Sequence, residues 1–288
     1  MPDTTPETVG DLVRAYLVEQ CTVLIDAESA LRDREAVVHP TRVAARRLRS
    51  TLRTYVEVVD VARAGTLSDE LSWFAGLLGE IRDREVLESR LLDDLEALAP
   101  ELVVGPVARQ ISEELTAGRS AAWDVVESEL DSDRYRRLLA ELHRWHGDAP
   151  LTKAAKAPAA GVKKYVKRAN KKLDKRLDRA IEAHLSGDPE TDDLLHQARK
   201  AGKRARYAVE LAAPVLGKKA DKLVAARKDL QDVLGEHQDS IVAADFLRTE
   251  GVRVGLRSGH NGFTYGLLFG GELARQAAIG EQLRPFLS

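Results

Sequence analysis

The 288-residue sequence predicts an all-α protein made of two pseudo-symmetric antiparallel helical bundles of the four-helix type. Apolar residues recur at three- and four-residue spacings almost throughout, and good helix formers such as Ala, Leu, Arg and Glu dominate the composition. The alternating pattern of β-strands is nearly absent. Two motifs also recur in the second half of the chain, at offsets of 157 and 156 residues. A repeat of that length is typical of two copies of one bundle.

The apolar spacing predicts nine helices. Gly65, Gly187 and Gly217 stand where helices are expected to end, and Thr66 is expected to begin one. Asp188 is expected to be an N-cap, with Pro189 as the first helical residue. The predicted helices are 6–32, 40–62, 67–98, 101–130, 132–146, 160–186, 189–214, 218–250 and 261–285.

A short segment divides the two sets of helices. Residues 148–160 contain two Pro, many Ala and Leu151 as their single large apolar side chain, which is typical of a linker. The sequence therefore predicts a first bundle over 1–147, a linker over 148–160 and a second bundle over 161–288. The two bundles are expected to form one composite domain.

Composition excludes several classes of protein. A single cysteine, Cys21, cannot form an intramolecular disulfide or a Cys-rich zinc site. The longest charge-free run, 258–271, is too short and too rich in Gly to span a bilayer, which needs roughly 20 apolar residues. No signal peptide precedes the first predicted helix, so we expect a cytoplasmic protein that does not enter a membrane.

The net charge of −2 conceals a strong asymmetry. Residues 1–150 carry 18 Arg and no Lys against 29 acidic residues, a balance of −11, whereas residues 151–288 balance at +9. Residues 151–180 alone carry 11 basic and 2 acidic side chains. Such charge blocks are typical either of solvated helices or of a surface that binds a polyanion.

The first repeated motif combines one histidine with several cations. Its first copy spans residues 39–49 and its second spans 196–206, with cations three, seven, eight and ten residues after the histidine in both. The second motif is Leu78-Gly79-Glu80 in the first half and Leu234-Gly235-Glu236 in the second. Two motifs at nearly one offset indicate an internal duplication rather than chance.

A helix would align most of these cations. At 100° per residue, His39, Arg42, Arg46, Arg49 and Arg53 fall within a stripe of about 80°, and Arg42 to Arg53 spans about 16 Å. Because like charges at this spacing repel, the stripe needs either acidic residues from another helix or an extended anionic ligand. The second copy has a shorter stripe, since Glu210 occupies the position that matches Arg53.

Pro40 bears on the start of this helix. A residue before proline is biased away from helical geometry, so His39 is expected to lie at the N-terminus of its helix. There the helix dipole and the free N–H groups favour an anion, and a histidine would gain charge as the pH falls.

On these doubled motifs the chain resembles the CHAD family, the conserved-histidine α-helical domains, over essentially its whole length. The resemblance implies two helical bundles packed around a basic channel that binds inorganic polyphosphate, in a protein that associates with polyphosphate granules. The sequence contains no Gly-x-x-x-x-Gly-Lys-Ser/Thr loop, no Gly-x-Ser-x-Gly elbow and no His-Glu-x-x-His motif, so we expect no enzymatic activity and no cofactor. The triphosphate-tunnel domain that many relatives carry has no counterpart here, so we expect a stand-alone CHAD protein.

The resemblance also implies which side chains bind the ligand. Arg47 and Arg204 lie off the main stripes and are weaker candidates. The full set in the two motifs is His39, Arg42, Arg46, Arg47, Arg49, Arg53, His196, Arg199, Lys200, Lys203, Arg204 and Arg206. Outside the motifs, the first turns of the basic helix and the flanks of the Leu-Gly segments add Lys163, Lys164, Lys167, Arg82 and His237. Arg82 and His237 have a second interpretation, in which they pair with Asp83 and Asp239 and brace the fold.

Three alternatives stay open on the sequence. An enzyme or metal-dependent phosphate chemistry would need a site, and His143 with His146 is the one pair whose spacing could hold a metal. Nucleic acid would suit a basic surface and is expected to compete weakly, but aromatic residues make up only 5% of the chain and offer few stacking platforms. The third alternative is a scaffold that recruits proteins to granules.

The stripes lead to a first prediction. Replacing Arg42, Arg46, Lys203 and Arg206 together with Gln is expected to abolish polyphosphate binding, because the cations that face the ligand are lost. Helicity measured by circular dichroism is expected to stay unchanged. Unaltered affinity of this variant would contradict the assignment of the stripes.

Overall fold

Each of the nine predicted helices has a counterpart in the computed structural model, which describes residues 6–257 and 261–286. The all-α prediction is confirmed, since these two ranges contain two isolated β-bridges and no strand. The helices are α1 (Val9–Arg32), α2 (Val38–Thr54), α3 (Val61–Glu96), α4 (Val107–Leu130), α5 (Asp133–Gly147), α6 (Val162–Ser186), α7 (Thr191–Leu211), α8 (Ala213–Leu216), α9 (Lys218–Gly255), α10 (Phe263–Ala277) and α11 (Ile279–Leu283).

The boundary expected near Gly65 is wrong. The α2 helix ends at Thr54 and α3 begins at Val61, so Gly65 lies inside α3. The connection contains two fully buried side chains, Tyr55 and Val59, whose apolar spacing does not distinguish them from helix core positions. It ends at Asp60, whose carboxylate accepts a hydrogen bond from the Arg63 N–H at 2.9 Å and caps the first turn of α3.

The boundary between α6 and α7 is partly as predicted. Gly187 adopts a left-handed φ of +68° directly after α6, a conformation that glycine tolerates best. Pro189 is not the first residue of α7, which begins at Thr191. The reason is a local turn, in which the carboxylate of Asp188 accepts from the Glu190 N–H and its carbonyl accepts from the Thr191 hydroxyl.

The chain divides into two compact units. Within the described ranges the first contains residues 6–79, 122–176 and 200–229, and the second contains 80–121, 177–199, 230–257 and 261–286. Each unit takes segments from both sides of residues 148–160. This division therefore differs from the sequence repeat, and the bundle boundaries drawn from the repeat stay a prediction.

The first unit is organised around α1, which packs against α2 and α5. Two pairs of buried aromatic rings join its elements. The rings of Tyr55 and Tyr165 are 4.8 Å apart, which ties the end of α2 to α6. The rings of Phe74 and Tyr135 are 5.2 Å apart and tie α3 to α5. Packed aromatic pairs contribute about 0.5–1.5 kcal/mol each beyond the area they bury.

The second unit combines an apolar core with a buried ion-pair network. Glu272 on α10 has a fully buried side chain, and its carboxylate lies 2.7 Å from Arg90 and 2.9 Å from Arg275. Arg90 also contacts Glu236 at 2.7 Å. The apolar core consists of Leu87, Leu91, Leu95, Val107, Ile111, Leu115, Ala243, Leu247, Val254, Tyr265 and Leu268.

The predicted linker, which we call the connector (148–160), is docked on the first unit. It pairs with the turn after α2, where the Thr152 N–H donates to the Val58 carbonyl at 2.9 Å. In the other direction the Asp60 N–H donates to the Pro150 carbonyl at 2.8 Å. The connector is therefore held by backbone hydrogen bonds rather than hanging free.

The same connector covers the start of α1. The Val9 N–H donates to the Ala157 carbonyl, and the Ala159 N–H donates to the Glu7 carbonyl, both at 2.8 Å. The first N–H groups of a helix have no partner within the helix, so this contact satisfies one of them from outside. The Thr8 side chain satisfies another through a capping box with Asp11.

The close contact between the connector and α1 leads to a prediction about Gly10, with Gly76 as its control. A Cβ at Gly10 would lie 2.9 Å from the Ala155 Cβ, whereas a Cβ at Gly76 in α3 would meet no atom within 4 Å. We expect Gly10→Ala to lower the free energy of unfolding by about 1–3 kcal/mol through overpacking. Gly76→Ala should raise it by up to about 1 kcal/mol through helix propensity. Chemical denaturation measures both, and stabilisation by Gly10→Ala would contradict close docking.

Candidate functional site

The histidine of the first motif lies in the first turn of α2. His39 lies at the N-terminus of its helix, as predicted, but the predicted bias out of helical geometry is wrong, since Val38 is already helical and His39 and Pro40 follow it. Pro40 is tolerated because first-turn N–H groups have no intrahelical partner to lose. The exposed His39 side chain nevertheless lies at the helix N-terminus, where the dipole favours anions.

The first arginine of each motif lies against the Leu-Gly segment of the same repeat. In the first unit the Arg42 guanidinium is 3.5 Å from the Gly79 carbonyl oxygen. In the second unit Arg199 lies 3.8 Å from the Asp239 carboxylate, and a Cβ added at Gly235 would be 3.5 Å from its guanidinium. The two sequence motifs thus form one structural contact in both copies.

Five cations from three helices of the first unit act on one another. We call Arg49 and Arg53 of α2, Lys172 and Arg176 of α6 and Arg204 of α7 the basic cluster. Burial lowers the pKa of the Arg204 guanidinium, and the positive charges of Arg53 and Arg176 lower it further. Burial likewise lowers the pKa of Lys172, with Arg204 and Arg176 contributing. Each of these shifts signals like charges brought close together.

Arg49 is the partly buried member of the cluster on α2. Burial lowers the pKa of its guanidinium, as do Arg53 and Arg204, while Asp69 partly offsets them. Its Nε is buried and has no hydrogen-bond partner among the described residues. A buried donor left unpaired costs about 1–3 kcal/mol, so Arg49 has a donor that a ligand could satisfy.

The arginines of the basic cluster stay charged despite these shifts, because an arginine does not lose its proton under any ordinary condition. Their lowered pKa values therefore report burial first, and then the repulsion of neighbouring cations, rather than neutral side chains. An anion among the guanidinium groups would relieve the repulsion and could accept bidentate hydrogen bonds. The arrangement suits an anion with several charged oxygens.

A second group of arginines is already engaged by neighbours. Tyr207 on α7 is buried, and its hydroxyl accepts a hydrogen bond from the Arg46 Nε at 2.8 Å. The guanidinium carbons of Arg47 and Arg206 lie 5.7 and 5.1 Å from its ring centroid. Both arginines also pair with the Glu210 carboxylate, at 3.0 and 3.2 Å. Tyr207 and Glu210 thus orient three of the predicted ligand residues.

The first turns of α6 have a partner of their own. Lys164 lies 3.2 Å from Glu57, and Arg168 makes a still closer ion pair with the same carboxylate. The hydrogen bond from Arg168 and then that from Lys164 lower the pKa of Glu57. Lys163 and Lys167 are exposed.

The α6 residues in the basic cluster are Lys172 and Arg176, two to three turns after the lysines that the sequence analysis selected. The sequence did not distinguish these two residues, because the basic residues of this helix spread over more than half the helical wheel. Lys172 and Arg176 stand four residues apart and lie on one face, which was the available signal. Tyr207 and Glu210 carried no basic charge and were not predicted to orient the arginines.

The predicted histidines of the second unit contact its own side chains. The His196 Nδ1 lies 2.6 Å from the Gln238 side-chain oxygen, and the His237 Nε2 lies 3.0 Å from the Asp192 carboxylate. His237 is only 5% exposed, so it connects α9 to the first turn of α7. Its brace therefore runs to Asp192 rather than to a residue of the Leu-Gly segment.

The remaining candidates lie on the surfaces of α3 and α7. Arg82 pairs with Glu85 at 3.0 Å. Lys200 is exposed and Lys203 is half-buried. Both belong to the part of α7 that lies in the first unit, whereas Arg82 belongs to the second unit.

The described residues offer no cluster of metal ligands and no membrane-spanning helix. Within 6–257 and 261–286, no group of three or more His, Cys, Asp or Glu side chains could hold a metal ion. His143 and His146 are both exposed on α5. In the same part of the chain, no helix has the length and apolar character needed to cross a bilayer.

The fold and the site define an all-α protein that gathers cations from three helices in its first unit. The chain belongs to the CHAD domain family, whose model matches residues 15–248. It is 32% identical over 291 residues to uncharacterized proteins from two strains of Mycobacterium tuberculosis, across 98% of this chain. It spans 53% of their length, about half, so the stand-alone form stays a prediction.

Two solved structures share the fold. PptA from Streptomyces chartreusis superposes with a TM-score of 0.80 at 23% identity, over 97% of this chain and 99% of that chain. The crystal structure of the CHAD domain from the plant Ricinus communis has a TM-score of 0.70 at 25% identity, over 100% and 94%. The all-α architecture of the chain is therefore that of a CHAD domain.

Repulsion within the basic cluster leads to a prediction about stability. Arg53→Gln removes an exposed charge that acts on both Arg49 and Arg204. We expect it to raise the free energy of unfolding by about 0.5 kcal/mol in low salt without added anion, and the gain should vanish at high salt. Arg136→Gln on α5 is the matched control, because it breaks a 2.6 Å pair with Asp133 and should give no gain. Equal responses of the two variants would contradict the repulsion.

Proposed function

We propose that this CHAD protein binds inorganic polyphosphate without hydrolysing it, and that the basic cluster is its central contact. The observation that carries the proposal is the crowding of five cations, among which Arg49 keeps a buried and unpaired Nε. A ligand that supplies several anionic oxygens would remove both the repulsion and the unmet hydrogen bond.

Charge density favours a polymer over a single phosphate. The cluster combines side chains from α2, α6 and α7, and the Arg42–Arg53 stretch of α2 spans about 16 Å. One orthophosphate can contact only part of such a surface, whereas a chain of phosphates presents a charge at every unit. Guanidinium groups match phosphate oxygens bidentately, and Lys172 adds a point charge. The resemblance to the CHAD family implies the same ligand.

The nearby aromatic residues favour polyphosphate over single-stranded nucleic acid. Tyr165 and Tyr207 lie on helices that carry the basic cluster, Tyr55 directly follows α2, and all three are buried. Stacking on aromatic faces contributes about 1–3 kcal/mol per base in single-strand binding, and buried rings cannot supply it. Nucleic acid is therefore expected to compete through its phosphates alone.

The other motif residues belong to the proposal on the strength of the repeat. We propose that they extend the contact surface beyond the basic cluster, with the exposed lysines of α6 steering the polyanion as it approaches. Binding of this kind would hold the protein on polyphosphate granules in the cytoplasm. Incubation with polyphosphate followed by a phosphate-release assay tests the non-enzymatic part, and turnover would contradict it.

The proposal is tested by removing the cluster. The triple variant Arg49→Gln, Arg53→Gln and Arg204→Gln is expected to weaken binding of long-chain polyphosphate by at least about 30-fold, because three charge-assisted contacts are lost. The slope of log affinity against log salt should become shallower by about 2, since each phosphate contact contributes roughly 0.7. Fluorescence anisotropy over a salt series gives both quantities.

A matched control removes the same charge elsewhere in the first unit. The variant Arg136→Gln, Arg137→Gln and Arg144→Gln neutralises three exposed arginines of α5. Its affinity should stay within about threefold of the unmodified protein, as expected for long-range steering alone. An equal loss in both variants would show that net charge, and not the cluster, holds the ligand. Tighter binding of single-stranded nucleic acid than of polyphosphate would overturn the proposal.

A further inference from the structure

Glu210 has an unusual position among the cations of α7. In the repeat it stands where the first copy has Arg53, so a carboxylate replaces a cation. Its side chain is only 19% exposed and lies in the first unit, between residues of α1 and α2. A carboxylate in this position must be compensated, and three groups from three helices do so.

The three partners are specific. Arg47 lies 3.0 Å and Arg206 3.2 Å from the carboxylate oxygens, and the Tyr16 hydroxyl donates to the same carboxylate at 3.1 Å. Burial, together with the nearby Glu210 charge, raises the pKa of the Tyr16 phenol well above its usual value. Tyr16 therefore remains a hydrogen-bond donor to the Glu210 carboxylate.

Glu210 thus forms ion pairs with Arg47 and Arg206, two arginines that the motif assigns to the ligand. One acidic group cannot neutralise both fully, and the buried Nε of Arg47 has no hydrogen-bond partner among the described residues. Arg47 and Glu210 also line an open cleft of about 430 Å³ together with Tyr16 and Glu19. An anion can therefore approach Arg47 from solvent and meet the carboxylate that already holds it.

We propose that Glu210 is an internal competitor of the ligand, which holds Arg47 and Arg206 and releases them only to a polyanion of high charge density. This inference rests on the proposed binding of polyphosphate. The carboxylate thereby discriminates between ligands by their length. A short phosphate gains too little binding free energy from the two arginines to displace the carboxylate from them. A long chain is anchored at the basic cluster and gains the two arginines at high local concentration.

The direct test compares two isosteric variants that each remove one negative charge. Glu210→Gln keeps the shape and a hydrogen-bond acceptor for Tyr16 but releases both arginines. Glu70→Gln is the control, since Glu70 makes a comparable 2.7 Å pair with Arg134 in the same unit. Binding of long-chain polyphosphate and of tripolyphosphate is measured for both variants and for the unmodified protein over a salt series.

Glu210→Gln is expected to bind tripolyphosphate about tenfold more tightly and the long chain about threefold more tightly, so discrimination by length narrows. Its salt slope should steepen by about 1, since released cations contact additional phosphates. Glu70→Gln should change affinity by less than about twofold. Unchanged or weaker binding by folded Glu210→Gln overturns the inference, and so does an equal gain in Glu70→Gln.

A second comparison does not depend on the folding of Glu210→Gln. If Glu210 holds Arg206, then Arg206→Gln in the unmodified background should weaken tripolyphosphate binding by less than about twofold, whereas Arg49→Gln should weaken it about tenfold. Equal losses would overturn the inference. If the unmodified protein binds no polyphosphate, the proposed function itself fails; if it binds and these differences are missing, only the role of Glu210 fails.

Discussion

Repulsion between arginines on α2 and α7 is the constraint on which the first unit depends. Two helices that carry so many cations would separate unless something else held them together. Buried tyrosines help to hold the two helices together. The Tyr207 hydroxyl accepts a hydrogen bond from Arg46, and the Tyr55 hydroxyl donates one to the Ala208 carbonyl. Glu210 also joins the two helices, because its carboxylate pairs with Arg47 of α2 and Arg206 of α7. The basic cluster is the region in which cations from α2, α6 and α7 lower one another's pKa values.

In the second unit, by contrast, arginines are paired with buried or half-buried acidic side chains. Arg90 and Arg275 surround the fully buried Glu272, and Glu236 and Asp94 complete the network. Each guanidinium there has acidic partners, so the network joins helices and is suited to holding them together. An arginine-rich helix is therefore not in itself a binding surface. What distinguishes the basic cluster is that cations from three helices lower one another's pKa values, with Asp69 partly offsetting this effect at Arg49.

The sequence was sufficient for the helices and the repeat, because apolar periodicity reports the buried face of each element. It was insufficient wherever two distant elements decide the outcome. The turn before α3 depends on the burial of Tyr55 and Val59 as well as on the Asp60 cap, and burial against distant elements leaves no local signal in the sequence. Lys172 and Arg176 belong to the cluster because of how α6 packs, and the helical wheel alone could not separate them from their basic neighbours. The sequence could not predict the pairing of Glu210 with two arginines either, since this pairing requires contact between helices.

The docked connector bears on where the chain can be divided. Residues 148–160 have the composition of a linker, yet the Ala157 carbonyl accepts from the first turn of α1 and Thr152 pairs with the turn after α2. A fragment ending before residue 148 would leave those backbone groups exposed. The connector is thus part of the framework of the first unit, and residues 6–147 cut from the chain would lose partners at both places.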